Sequence, residues 1–201
     1  MNELLLRRRV ASAKPYDAEI EYLETQGNCT INTTCIPQGD KISISTKFMF
    51  IGYATTAQWI CFYRAYVDEN TQTFRWLRNG SNATDTLITN GAKPSGSTTE
   101  PHWVVQANGL YEVETNGRSV TVNGTTRQAR AAVSTLNTGT MRIFDTRIKA
   151  RCYYFKIKDD GVPILDCIPV RVGTVGYMYD KVSKQLFGNA GTGSFILGPD
   201  K

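Results

Sequence analysis

The sequence predicts an all-β protein, a two-sheet antiparallel β-sandwich. Three observations carry this. From Tyr16 onward, apolar residues recur at every second position over short runs, as they do when one face of a strand meets a core. The runs are separated by turn signals: Asn116-Gly117, Asn123-Gly124, Asp159-Asp160-Gly161 and the glycine-rich stretch from Gly188 to Gly193. No alternation of strands with long helical patterns announces a parallel sheet. A chain of 201 residues is long enough to close one such sandwich.

Residues 1–15 read as a basic leader, and residues 16–201 as a single domain. In the leader, Leu4-Leu5-Leu6 precedes Arg7-Arg8-Arg9, whereas a secretory signal places charge before an apolar stretch of about 7–15 residues. No signal peptide is therefore read, the compartment stays open, and the leader is expected to be a mobile or partner-docking arm. Asp17 to Glu24 fits a first strand with Ile20 and Tyr22 on one face. Lys41 to Phe50 is the clearest strand, with Ile42, Ile44, Phe48 and Phe50 opposing Lys41, Ser43, Ser45 and Lys47. Gln58 to Val67 is apolar enough for a central strand, and Thr73 to Leu77 is expected beside it. Residues 79–101 read as loops around a short strand at Thr86–Thr89. A hairpin follows, Leu110 to Thr115 and Arg118 to Val122, turning at Asn116-Gly117, and Asn123-Gly124 ends its second strand. Arg127 to Leu136 fits a helix or a strand plus loop equally well. Met141–Phe144, Ile148–Lys158, Ile164–Val170, Val175–Asp180, Gln185–Phe187 and Ser194–Leu197 complete the strands.

Composition excludes several function classes. With 41% hydrophobic and 20% charged residues the chain is a folded globular protein rather than a disordered one. The net charge of +5 owes much to the leader, and no basic groove interleaved with aromatics or recognition helix accompanies it, so no nucleic-acid partner is expected. No apolar run approaches the roughly 20 residues of a membrane span. The five cysteines, at 29, 35, 61, 152 and 167, sit mostly in apolar runs and read as buried thiols, although Cys29 and Cys35 are spaced to close a small loop in an oxidising compartment. One histidine, His102, and the lack of a CxxC pair argue against zinc. Five Asn-x-Ser/Thr triplets, at Asn28, Asn32, Asn79, Asn82 and Asn123, are put down to the Asn and Thr content of the loops.

The C-terminal motifs resemble the end of laminin-G-like, concanavalin A-like jelly-roll domains. The matching residues are Tyr153, Phe155, Lys156, Ile157, Asp159 and Gly161, then Asp166, Ile168 and Pro169, then Gly176, Tyr179 and Asp180, and last Asn189, Gly191, Thr192, Gly193 and Phe195. Val120-Thr-Val-Asn-Gly124 is similar to the family's V-x-V-N-G strand and turn. Tyr16 to Gly27, with the leader, resembles variants found in gut bacteria and their phages. Residues 28–35 depart from the pattern. The resemblance implies a jelly roll that serves as a lectin, an adhesin, a glycosidase or a structural module. Some such domains hold calcium, for which Asp68-Glu69-Asn70 is a thin candidate; no cofactor is otherwise expected.

Carboxylate pairs decide between binding and hydrolysis. Glu19-Ile-Glu21-Tyr-Leu-Glu24 is similar to a bulged catalytic run of laminarinase-like enzymes, and Glu112-Val-Glu114 offers a second pair. The first is placed on an outer strand without a tryptophan platform and the second on the polar face of a hairpin, so neither is assigned a catalytic role. A triad needs a base, and His102, the only imidazole, sits in a context that suggests a loop and reads as a surface or packing histidine. The glycine-rich stretch lacks the lysine and helix of a phosphate loop. Stacking aromatics remain. Trp59 is assigned to the core, and Trp76 and Trp103, with Arg75 and Arg78, form the expected ligand-binding set, two rings for a sugar face and two guanidiniums for hydroxyls or an acidic sugar. The expected function is a non-catalytic carbohydrate-binding or adhesion module within a phage or prophage particle. Its partner would be a glycan or cell-surface polysaccharide, with a homo-oligomer or phage structural protein in attendance. The alternatives are a laminarinase-like glycoside hydrolase and a purely structural virion or assembly domain.

Overall fold

The computed structural model describes residues 14–53, 59–68, 71–79, 86–92, 102–117, 119–128, 135–145 and 147–201. Among them lie seventeen strands and no helix. The first eight are β1 (Ala18–Glu19), β2 (Leu23–Gln26), β3 (Ile31–Asn32), β4 (Ile42–Tyr53), β5 (Trp59–Ala65), β6 (Thr73–Asn79), β7 (Thr86–Ala92) and β8 (His102–Trp103). Then come β9 (Gly109–Asn116), β10 (Ser119–Val122), β11 (Thr125–Gln128), β12 (Arg142–Asp145), β13 (Ile148–Asp159), β14 (Val162–Val172), β15 (Val175–Asp180), β16 (Leu186–Phe187) and β17 (Ile196–Leu197).

Two antiparallel sheets form a β-sandwich. The larger has eleven strands, ordered β11-β10-β9-β4-β13-β14-β15-β16, with β1 on β14, β2 on β13 and β17 on β2. The smaller has six, ordered β3-β12-β5-β6-β7-β8. β13 serves two partners on one edge: Lys149–Cys152 pair with β2, and Phe155–Asp159 with β14. The bulge at Cys152–Tyr154, seen in the β4 register, marks the point of change.

The period-two pattern accounts for the core. In β4, Ile42, Ile44, Thr46, Phe48 and Phe50 are buried, while Ser43, Ser45, Lys47 and Met49 are half-buried on the other face. Phe48 stacks on Phe62 of β5 at 4.1 Å and meets Trp76 of β6 edge-on at 5.2 Å, so aromatic rings lock the two sheets together. Tyr63 meets Phe155 the same way at 5.3 Å.

The tight turns follow residue chemistry. Asn123 (φ 46) with Gly124 (φ 80), and Asp160 (φ 47) with Gly161 (φ 81), supply the two consecutive positive φ angles of a type I′ hairpin. The hairpin of β9 and β10 differs from expectation by one residue. Asn116 pairs with Ser119, so Gly117, at φ 53, takes the first turn position and Asn116 closes the strand. The expected strand from Asp17 to Glu24 is divided into β1 and β2, because Ile20 turns away to bridge Asp200 and Glu21 donates its N–H to Pro199. Arg127 and Gln128 of the helix candidate belong to β11; residues 129–134 lie outside the described ones.

The glycine-rich stretch is a structural clasp. Thr192 and Gly193 both donate backbone N–H groups to Asn28 O, Ala190 donates to Thr30 O, and Thr30 donates to Asn189 Oδ1 at 3.0 Å. A Cβ at Gly191 or Gly193 would overlap Asn28, so only glycine admits this approach.

Candidate functional site

The alternation that buries one face of β4, β9, β13 and β14 presents a polar face to solvent. Register aligns Thr121, Glu114, Ser45, Lys156 and Asp166 as one transverse row across β10, β9, β4, β13 and β14. Above this row runs an open groove of about 1060 Å³, which Lys41, Ser43, Asn116, Ser119, Lys158 and Asp160 also line. The Lys41 Nζ–Asp160 Oδ2 ion pair, at 2.6 Å, stands at one end of it. Lys156 Nζ lies 3.7 Å from Asp166 Oδ1, an ion-pair separation too long for a hydrogen bond. That oxygen is occluded and has no hydrogen-bond donor among the described residues, whereas the Asp166 backbone N–H is held by Asp180 Oδ1 at 2.8 Å.

Beyond this row the same face becomes aromatic. The β13 bulge leaves Tyr153 and Tyr154 consecutive and half-buried. Both are close enough to Lys47 to raise its pKa, a shift in which the Glu112 hydrogen bond is the largest cause. Lys156 Nζ lies 5.5 Å from the Tyr154 ring centre. Tyr22 meets Tyr153 edge-on at 5.7 Å, and Arg151 lies over Tyr22 at 4.4 Å while pairing with buried Glu24 at 2.6 Å. None of these tyrosines was singled out from the sequence as a ligand residue. The signal was there: two adjacent tyrosines interrupt an otherwise alternating strand, and such an interruption marks a bulge that re-aims side chains.

The residues expected to bind ligand are placed differently. Trp76 is 1% exposed, packed against Phe48, Phe50 and Phe62, and is not a stacking platform. Trp103 is 7% exposed, with the Arg127 guanidinium 4.6 Å from its ring centre; its Nε1 is buried and has no hydrogen-bond partner among the described residues. Arg75 is half-buried and lies over Tyr66 at 5.3 Å. The side chains of Arg78, Trp59 and His102 fall outside the described residues. Arg75 and Trp76 are neighbours in β6 and therefore point to opposite faces, so one ligand cannot use both.

The carboxylates are likewise dispersed. Glu19 lies in β1 opposite Val170, held below its ordinary pKa by hydrogen bonds from Tyr16 and Lys14. Glu24 lies in β2 opposite Arg151, and Glu21 belongs to neither strand, so the run does not form one acidic face. Across the groove, Glu114 and Asp166 stand three strand spacings apart, about 14 Å. Hydrolytic pairs need about 5–5.5 Å or 6.5–9.5 Å. Glu112, the other member of the hairpin pair, is engaged by Lys47 Nζ at 3.1 Å.

All five cysteines are free thiols, so Cys29 and Cys35 are not joined. Burial pushes the Cys35 and Cys61 thiols up to about 12 and raises those of Cys152 and Cys167, which keeps them protonated and unreactive at neutral pH. Asp68 caps a local turn, accepting the Thr71 N–H at 3.1 Å, and Glu69 and Asn70 lie outside the described residues. Among the described residues no three acidic, Cys or His side chains are grouped to hold a metal. No helix among them is long and apolar enough to cross a membrane.

No protein-family model matches this sequence, and no curated protein matches it. Fold and groove define the class: an all-β sandwich with an open, mixed-charge, aromatic-flanked groove on the outer face of its larger sheet.

Proposed function

We propose that the chain is a non-catalytic carbohydrate-binding or adhesion module, with the glycan lying along the outer face of the larger sheet. One observation carries the reading: an open groove lined by serine, threonine, lysine and carboxylate side chains, with half-buried tyrosines on the same face. Hydroxyl-rich ligands suit such a mixture. Ser45, Thr121 and Lys156 offer donors, Glu114 offers acceptors, and Tyr154 offers a ring to stack against sugar C–H groups. The 14 Å or so between Glu114 and Asp166, the two carboxylates of the transverse row, favours binding over the glycosidase alternative. The resemblance of the C-terminal motifs to lectin-like jelly rolls supports the same reading, and that of Tyr16 to Gly27 and the leader to phage-borne variants supports a place in a phage or prophage particle. An open groove removes little surface from water, so single-site affinity is weak and a multivalent assembly supplies avidity.

The test is a glycan-array screen of the purified protein, followed by calorimetry on the best ligand with Ser45→Trp, which fills the middle of the groove. Affinity should fall about tenfold or more, a loss of about 1.4 kcal/mol, at an unchanged melting temperature, because Ser45 is on the solvent face. No retained glycan, or unchanged affinity in Ser45→Trp, overturns the proposal.

A further inference from the structure

The outer face of the smaller sheet carries a row of like charges. Arg142 of β12 is the direct cross-strand partner of Arg64 in β5, and Arg64 is the direct partner of Arg75 in β6. Asn32 of β3 and Thr89 of β7 extend the row in register at either end. All three arginines point away from the core: their strand neighbours Ile143, Tyr63 and Trp76 are the buried ones, while Arg142 is exposed and Arg64 and Arg75 are half-buried. Like charges placed directly opposite one another destabilise a sheet, so three in succession need a reason.

Part of the compensation is internal. Asp145 is 6% exposed and accepts Arg64 Nε at 2.6 Å. Burial raises the Asp145 carboxyl pKa, and Arg64, Arg142 and Arg147 pull it down, so two arginines of the row act on this carboxylate together with Arg147. A guanidinium carries five N–H donors, and the Asp145 contact engages Arg64 through Nε.

We infer that this face is a second binding site, for a linear acidic polysaccharide whose repeating carboxylates lie across β12, β5 and β6. Three features choose the ligand. The arginine fork matches a carboxylate in geometry as well as charge. The row is straight, with one arginine per strand at intervals of about 4.8 Å, so it suits a polymer bearing one carboxylate per sugar ring better than an isolated anion. Single-stranded nucleic acid binds by stacking its bases on exposed rings, whereas Tyr66, the ring beside this row, lies under the Arg75 guanidinium. The core separates this face from the groove, so the site goes beyond the function proposed above and stands or falls independently of it.

Calorimetry at low ionic strength with de-esterified polygalacturonate, an uncharged β-glucan and a single-stranded oligodeoxynucleotide of matched charge tests the inference. Polygalacturonate should bind, with an affinity that falls as salt is added. Arg142→Gln should weaken it about tenfold, Arg142→Lys less, and Arg142→Gln/Arg147→Gln further. Both positions are exposed, so the melting temperature should hold, and Arg64 is left in place because Asp145 depends on it. Ser45→Trp, which blocks the groove, should leave polygalacturonate binding intact. Absence of polygalacturonate binding, indifference to Arg142→Gln, equal binding of the uncharged glucan, or oligonucleotide binding as tight as that of polygalacturonate overturns the inference.

Discussion

Truncating Trp76 tests whether its ring belongs to the core or to a ligand face. The indole sits on β6, 1% exposed, against Phe48 at 5.2 Å, Phe50 at 6.1 Å and Phe62 at 6.4 Å. A ring of this kind buries about 150–250 Å². At about 25 cal/mol per Å² that represents roughly 4–6 kcal/mol of transfer free energy. Alanine retains a little of this and relaxation of the neighbours recovers more, so Trp76→Ala should cost about 3–5 kcal/mol. For a chain of this size each kcal/mol lowers the melting temperature by about 2–4 °C, which predicts a fall of about 6–20 °C. Calorimetry and a urea titration followed by near-ultraviolet circular dichroism would read it. A melting temperature within about 2 °C of the parent, with cooperativity unchanged, would refute the core assignment, since an exposed ring costs little stability to remove.

Two further perturbations address the clasp and the β15 turn. Gly191→Ala should lose about 1–3 kcal/mol by urea titration, because its Cβ would overlap the Asn28 carbonyl oxygen, whereas Gly52→Ala, with open space around its Cβ, should be nearly neutral; equal effects would dismiss the clasp. Asp180 is buried, which raises its carboxyl pKa, but the N–H groups of Asp166, Ser183 and Val182 and the Ser183 hydroxyl together hold it below the ordinary value. Its folded pKa therefore lies under the unfolded one: its stabilisation is complete above about pH 4 and disappears as pH falls through the lower folded value. Asp180→Asn should cost about 3 kcal/mol near neutrality and show a shallower loss between about pH 4 and pH 2; parallel acid limbs for the two proteins would rule this out.

Fold class was legible because burial on one side imposes a period of two, and β4 and β9 carry that period cleanly, as β13 does on either side of its bulge. Asn123-Gly124 was legible for the same physical directness, since both residues adopt positive φ in the hairpin between β10 and β11. What failed depended on partners distant in sequence. Ile20 leaves the first strand to bridge Asp200, and Glu21 finds its carbonyl on Pro199, near the other end of the chain. Nothing local to residues 17–24 records those contacts. The glycine-rich stretch reads as a turn on its own residues; its reason for being glycine lies at Asn28, in the segment where the motif resemblance breaks.

The site was misread for a more instructive reason. Chemical type groups Trp76 and Trp103 with Arg75 and Arg78 as stacking rings and guanidiniums, yet a strand offers each side chain only two directions, and Arg75 and Trp76 as neighbours diverge. Grouping by chemical type proposed one site; grouping by parity separates the residues into two. The odd positions Ser43 and Ser45 of β4 belong with the polar positions of β9 and β13 and build the groove, with Lys47 further along the same face. Arg75 belongs with Arg64, its partner in register, and through Arg64 with Arg142, which lies far from both in sequence, while Trp76 belongs with Tyr63 and Ile88 inside. Parity could have been read from the sequence, but register could not, because pairing β5 with β12 joins residues some eighty positions apart through loops whose lengths leave the alignment open. A charge row of this kind therefore becomes visible only when strands are placed side by side. Its alignment then argues for a linear polyanion more strongly than any arginine does alone.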